Sequence, residues 1–248
     1  MDNLKEALEY LVGLVPPTVQ EIELRDGSKD MFSDKQLYRY NPHLPKADAL
    51  RTSTLTSLVD YIKANIDTMS DKMIINILSP TRVELLSSLD SERDRETLMI
   101  VEANLPAFNF DSYLDKEKFI IGLQSKFLDD PETDKALILK FAGTVESGTV
   151  AEYGDDGVTQ KATVKTGIAT KSDALVPNPV ILEPFRTFLE VSQPQSAFIF
   201  RMRQSKYDGV ECGIFEADGG AWKLDAMQNI RAYLQKALEE FPQFTVIS

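Results

Sequence analysis

Apolar residues recur at helical spacing along the first stretch of the chain. Leu4, Leu8, Leu11, Val12 and Val15 share one side of a helix over residues 2–15, which Pro16-Pro17 ends. Val19, Ile22 and Leu24 then lead to Asp26-Gly27, a dipeptide that favours a type I′ hairpin turn. Asn41 to Pro45 reads as a linker. A second helix is expected over 53–67, capped by Ser53 or Thr54, with Leu55, Leu58, Val59, Ile62 and Ile66 as its apolar stripe. Met73–Leu78 reads as a short buried strand turned by Ser79-Pro80-Thr81. Val83–Leu89 and Thr97–Leu105 follow as a hairpin. Asp115 caps a helix carrying Phe119, Ile120, Leu123, Phe127 and Leu128. Pro131 suits the first turn of another, running to about Val145.

From about Thr149 the helical period stops and β-branched residues rise. Asp156-Gly157 reads as a hairpin turn before Val158, Ala162, Val164 and Ile168, and Ser172–Pro179 reads as a loop. Phe185–Val191 and Ala197–Arg203 are expected strands joined through Ser192-Gln193-Pro194. Asp208-Gly209 is a third hairpin signal, leading into Val210–Phe215. Gly219-Gly220 opens a last helix striped by Trp222, Ala226, Ile230, Tyr233, Leu234, Ala237, Leu238 and Phe241. The segment from Phe244 to Ile247 is strand-like. Helices and strands come in runs rather than strict alternation. That predicts an α+β fold, with a mainly antiparallel, hairpin-rich sheet packed by amphipathic helices. Residues 1–248 are read as one domain. The alternative is a division into a helix-rich 1–148 and a strand-rich 149–248 closed by the last helix.

Composition narrows the chemistry. Among 248 residues, 39 acids outnumber 27 bases, giving a net charge of −12, and there is one Cys, one His and one Trp. One Cys forms no internal disulfide, which fits a reducing cytoplasm. The start, Met-Asp-Asn with Glu6 and Glu9 close behind, is unlike a signal peptide. The apolar runs Met73–Leu78 and Ala136–Ala142 fall far short of the ~18 residues of a membrane span. Acidic charge repels phosphate backbones at long range, which lowers the case for nucleic acid without forbidding a local basic groove.

The stretch Pro184-Phe185-Arg186-Thr187-Phe188-Leu189-Glu190-Val191-Ser192-Gln193-Pro194-Gln195-Ser196, continuing through Ala197 to Arg203, resembles the YfdQ-like family of phage and prophage proteins, a domain of unknown function. The resemblance extends upstream through Leu50–Asn65, with Val59-Asp60-Tyr61-Ile62, and through Asp111–Asp129 and the Pro131 segment. It covers about residues 18 to 241. It implies a phage origin and a protein made in the cytoplasm of an infected or lysogenic bacterium. It carries over no catalytic residues.

Single residues offer little reactive chemistry. His43 sits between Pro42 and Leu44-Pro45, a poor place to hold a general base. Cys212 lies in an expected strand beside Val210 and Ile214, as a small hydrophobe would. The acidic clusters Asp129-Asp130 with Glu132 and Asp134, Asp155-Asp156, and Asp90 with Glu92 and Asp94 lack EF-hand spacing. They read as loops and helix starts. No phosphate-cradling glycine motif occurs. Gly219-Gly220 either presents amides to an anion or meets a special backbone angle. No catalytic set, metal site or cofactor is expected.

One basic pattern stands out. On a strand, Arg201 and Arg203 share a face opposite Phe198, Phe200 and Met202, and Arg186 would lie beside them if its segment paired. Such a face either holds an anion or pairs with Glu190, Glu211 or Glu216. The Phe-rich surroundings read as core or, less simply, as base-stacking platforms. Three functions follow. The first is a non-enzymatic phage accessory protein acting as a homo-oligomer through the 2–15 helix or the Val246-Ile247 end. The second is a binder of nucleic acid or a nucleotide at Arg186, Arg201 and Arg203, in replication or counter-defence. The third, least supported, is a metal-dependent hydrolase. The first is the expectation carried forward, with no membrane partner.

Overall fold

Burial alternates along the strands Met73–Ser79, Arg82–Leu86 and Ser196–Gln204 as the apolar pattern requires, and the described strands fall into four sheets. A computed structural model of the protein describes residues 2–16, 18–23, 29–33, 46–69, 71–90, 93–151, 161–165, 171–205 and 209–248. The chain divides into two units, residues 1–46 and 47–248.

In the first unit, α1 (Asp2–Leu14) is followed by β1 (Val19–Glu23) and β2 (Lys29–Ser33). The two strands pair antiparallel, from Val19 opposite Ser33 to Glu23 opposite Lys29. The Asp26-Gly27 turn, the 41–45 linker and His43 lie outside the described residues. Every residue of this unit whose burial is described is exposed.

The second unit begins with β3 (Leu50–Thr52), α2 (Leu55–Ala64), β4 (Met73–Ser79), β5 (Arg82–Leu86), β6 (Thr97–Glu102), β7 (Ser112–Asp115), α3 (Lys116–Lys126) and α4 (Lys135–Thr144). It continues with β8 (Val145–Ala151), β9 (Lys161–Lys165), β10 (Lys171–Leu175), β11 (Val180–Leu182), β12 (Ser196–Gln204), β13 (Val210–Glu216), α5 (Trp222–Ala237) and β14 (Phe244–Ile247). The texture change near 148 therefore falls within β8, inside this unit.

The unit has two cores. The first lies under a five-stranded sheet ordered β14-β4-β5-β6-β3. Its centre is antiparallel, and β14 and β3 add parallel edges. Met73, Ile75 and Ile77 of β4, Val83 and Leu85 of β5, and Val101 of β6 point inward against Leu58 and Ile62 of α2 and Ile230 and Leu234 of α5. α2 starts where the Thr54 hydroxyl accepts the Ser57 amide at 3.2 Å, and it stops at Asn65, whose φ of 47° is left-handed.

The second core lies under an antiparallel sheet ordered β11-β12-β13-β7. Phe198, Phe200 and Met202 of β12 and Val210, Cys212 and Ile214 of β13 pack on Phe119 and Leu123 of α3 and Ile138 and Ala142 of α4. The Asp115 carboxylate caps α3 through the Glu117 and Lys118 amides, at 2.9 and 3.4 Å. The antiparallel sheet β10-β9-β8 completes the unit. This is an α+β fold dominated by antiparallel pairing.

Three expectations change. α4 begins at Lys135, not at Pro131, because Asp130 holds a turn there, accepting the Glu132 amide at 2.8 Å and the Thr133 amide at 3.0 Å. The first residues of Ser172–Pro179 belong to β10 rather than to a loop. Phe185–Val191 is not a strand: residues 183–195 form an irregular strap. The Gln193 carboxamide takes up backbone groups that a ladder would otherwise bind. Its oxygen accepts the Arg186 and Thr187 amides at 2.9 and 3.1 Å, and its nitrogen donates to the Thr187 and Phe188 carbonyls at 3.3 and 3.0 Å.

The strap serves both cores. At one end the Leu128 amide donates to the Glu183 carbonyl at 2.8 Å, and the Phe185 amide to that of Lys126 at 3.0 Å, beside the α3–α4 connection. Further on, the Thr187 hydroxyl donates to the Pro80 carbonyl at 2.6 Å in the β4–β5 turn, and Phe188 and Val191 enter the first core.

Candidate functional site

Arg186 projects from the strap into the molecule and is 6% exposed. Its Nη1 donates to Glu216 Oε1 at 2.8 Å, and its Nη2 donates to the Ser196 hydroxyl. The guanidinium carbon lies 4.0 Å from the Trp222 ring centroid and 5.5 Å from that of Phe198. Burial lowers the pKa of this guanidinium, and the charges of Glu216 and Asp218 oppose that shift. The neighbouring acids are themselves placed by the backbone. The Glu216 amide donates to Asp111 Oδ1 at 2.9 Å. The Gly220 amide donates to Asp218 Oδ1, also at 2.9 Å. Gly219 and Gly220, at φ of 64° and 83°, supply the left-handed turn that makes this contact before α5.

Arg201 and Arg203 lie elsewhere. Both sit on the face of β12 opposite Phe198, Phe200 and Met202, as strand parity requires. Arg186 touches Ser196 and Phe198 and so lies on the other face. The structure keeps Arg201 and Arg203 on one face and does not bring Arg186 to them. Arg203 pairs with Glu211, directly across on β13, with Nε 2.6 Å from Oε2, and its guanidinium carbon stands 4.1 Å from the Tyr113 ring centroid. Arg201 is half-buried opposite Gly213. Glu190 serves neither strand: its carboxylate accepts the Thr56 amide at 3.3 Å in the first turn of α2. Arg186 and Arg203 thus already hold carboxylates, which compete with an anion.

The other candidate chemistry is largely used in holding the fold. Cys212 is fully buried, and burial pushes its thiol up to about 12, far from nucleophilic use. Asp134 accepts the Ile181 amide at 2.7 Å, and Asp90 accepts the Asp94 amide at 2.8 Å. Among the described residues no three His, Cys, Asp or Glu side chains converge on a point a metal could fill. No helix among them is long and apolar enough to cross a membrane. Val246 is buried in the first core, while Ile247 remains 44% exposed on the edge strand β14.

The most conspicuous surface is α1. Leu4, Leu8 and Leu11 are 69%, 53% and 58% exposed, and Tyr10 and Leu14 are exposed as well. Monomers seldom present so many large apolar side chains on one element. Sequence periodicity locates this face but not its exposure, because an amphipathic stripe looks the same whether its cover is its own core or another chain.

Two buried polar residues escaped the sequence reading. Lys135 donates to the Phe127 carbonyl at 2.9 Å, and Glu183 lies beside Asp130 and Gln195. Neither stands in a motif. Compared with protein families, curated proteins and solved structures, the chain matches none of them.

Proposed function

We propose that the protein is a phage-encoded, non-enzymatic accessory protein that works in the bacterial host cytoplasm as a homo-oligomer assembled through α1. The observation that carries this reading is the exposed apolar face of α1. Leu4, Leu8, Leu11 and Val15 follow the alternating four- and three-residue spacing of a coiled-coil seam. A second copy of the same helix is the occupant that such a self-complementary stripe fits. An anionic membrane surface fits less well, because Lys5 is the single base in α1 against Asp2, Glu6 and Glu9. The phage origin rests on the resemblance of Pro184–Arg203 to the YfdQ-like family. Light scattering at micromolar concentration should give a multiple of the monomer mass, and Leu8→Glu with Leu11→Glu should reduce it to the monomer. A monomeric wild type, or a double variant of unchanged mass, would sink the proposal. Binding of nucleic acid or a nucleotide is the alternative. Its support shrinks to the Arg201 and Arg203 face, since Arg186 lies on the other side of β12.

A further inference from the structure

We propose that a cleft along the outer face of α3 binds a small amphiphilic anion, an apolar body carrying one carboxylate. The cleft encloses about 300 Å³, between α3 and the segment from Ala107 to Asn109. That volume is at the small end of ligand cavities and suits a short chain or single ring system rather than a helix. Phe108, Leu114 and Ile121 provide its apolar lining. Gly122 sets the position of one wall: a Cβ there would stand 2.7 Å from Phe108 Cε2, so the ring lies against the bare backbone of the helix. Phe108 is held there by Phe110 and Phe127, each with its ring centroid 5.0 Å away.

Charge selects the occupant. Lys118 and Lys126 line the cleft eight residues apart on α3, roughly 12 Å along the helix axis. Lys126 donates to the Ala107 carbonyl, and among the described residues neither ammonium pairs with a carboxylate. An apolar anion satisfies both features, its body on Phe108 and Ile121 and its head at Lys118. A neutral apolar molecule would leave the lysines unused, and a cation would be repelled.

The test uses decanoate, below its micelle concentration, added to the full-length isotope-labelled protein. Saturable shifts are expected at Lys118, Ile121 and Gly122. Lys118→Glu should weaken binding at least tenfold while the thermal midpoint stays within a few degrees, since that side chain is exposed. Leu8→Glu with Leu11→Glu should leave these shifts intact, which separates the cleft from the apolar face of α1 and from the assembly proposed for it. Shifts confined to α1, equal binding by the charge-reversed variant, or equal binding of decanol would each overturn the proposal.

Discussion

The guanidinium carbon of Arg186 stands 4.0 Å from the centre of the Trp222 ring, sandwiching the strap against the first turn of α5. The same guanidinium reaches Glu216 at the end of β13 and Ser196 at the start of β12. One buried cation therefore ties the strap to the start of β12, the end of β13 and the first turn of α5.

Replacing Arg186 should be costly. Arg186→Ala leaves the half-buried Glu216 without its charged partner and empties the space over Trp222. A loss of about 3 kcal/mol is expected. Arg186→Lys should recover little, because one ammonium cannot serve Glu216 and Ser196 in the fork geometry while stacking on the indole. Urea denaturation of both variants checks this. A Lys variant as stable as wild type would show that the flat guanidinium is unnecessary.

Arg203 should behave in the opposite way. Its pair with Glu211 is 55% exposed on the arginine side, so water already screens it. Arg203→Ala is expected to cost under about 1 kcal/mol. The double variant Arg201→Ala with Arg203→Ala also tests the nucleic-acid alternative. Salt-dependent binding of a labelled oligonucleotide that disappears in this variant would favour that reading over assembly alone.

Gln193 organises the strap through one side chain. Gln193→Ala leaves the buried amides of Arg186 and Thr187 without their acceptor and several carbonyls without their donor. A loss of about 2–3 kcal/mol follows. Gln193→Glu keeps the acceptor but removes the donor, so it should also destabilise. Thermal melts of the two variants separate these contributions. An Ala variant within experimental error of wild type would show that the strap closes without this carboxamide.

Glu183 should make stability fall as pH rises. Burial raises its carboxyl pKa, Asp130 adds to the rise through charge and a side-chain hydrogen bond, and Gln195 opposes it. The folded protein therefore holds this proton more tightly than the unfolded chain. The contribution is complete below the unfolded carboxyl range and is lost as pH rises through the folded value. Glu183→Gln removes the titration, so its stability relative to wild type should improve between about pH 4 and pH 8. Urea midpoints measured across that interval give the comparison, and two parallel curves would contradict it.

Much of the fold is legible in the sequence because burial follows simple periods. Met73, Ile75 and Ile77 alternate as β4 does, and Ile230, Leu234 and Leu238 mark the buried side of α5 and its end. The common face of Arg201 and Arg203 is likewise a matter of parity. Arg186 could not be placed this way. Its segment is shaped by a side-chain carboxamide six and seven residues downstream, an interaction with no period. The exposure of α1 was equally out of reach, because a stripe of leucines specifies that something apolar must cover it without specifying what.

The strap has a kinetic consequence. Thr187 meets Pro80 at a sequence separation of 107, and Phe188 completes a core whose strands β4, β5 and β6 come far earlier. Closing so long a loop before any of these contacts forms is entropically slow. Residues 47–248 should accordingly refold in one late, cooperative step. Pulse-labelling hydrogen exchange should find the 73–102 hairpins gaining lasting protection only when the strap arrives, and protection of these hairpins well before that step would contradict this.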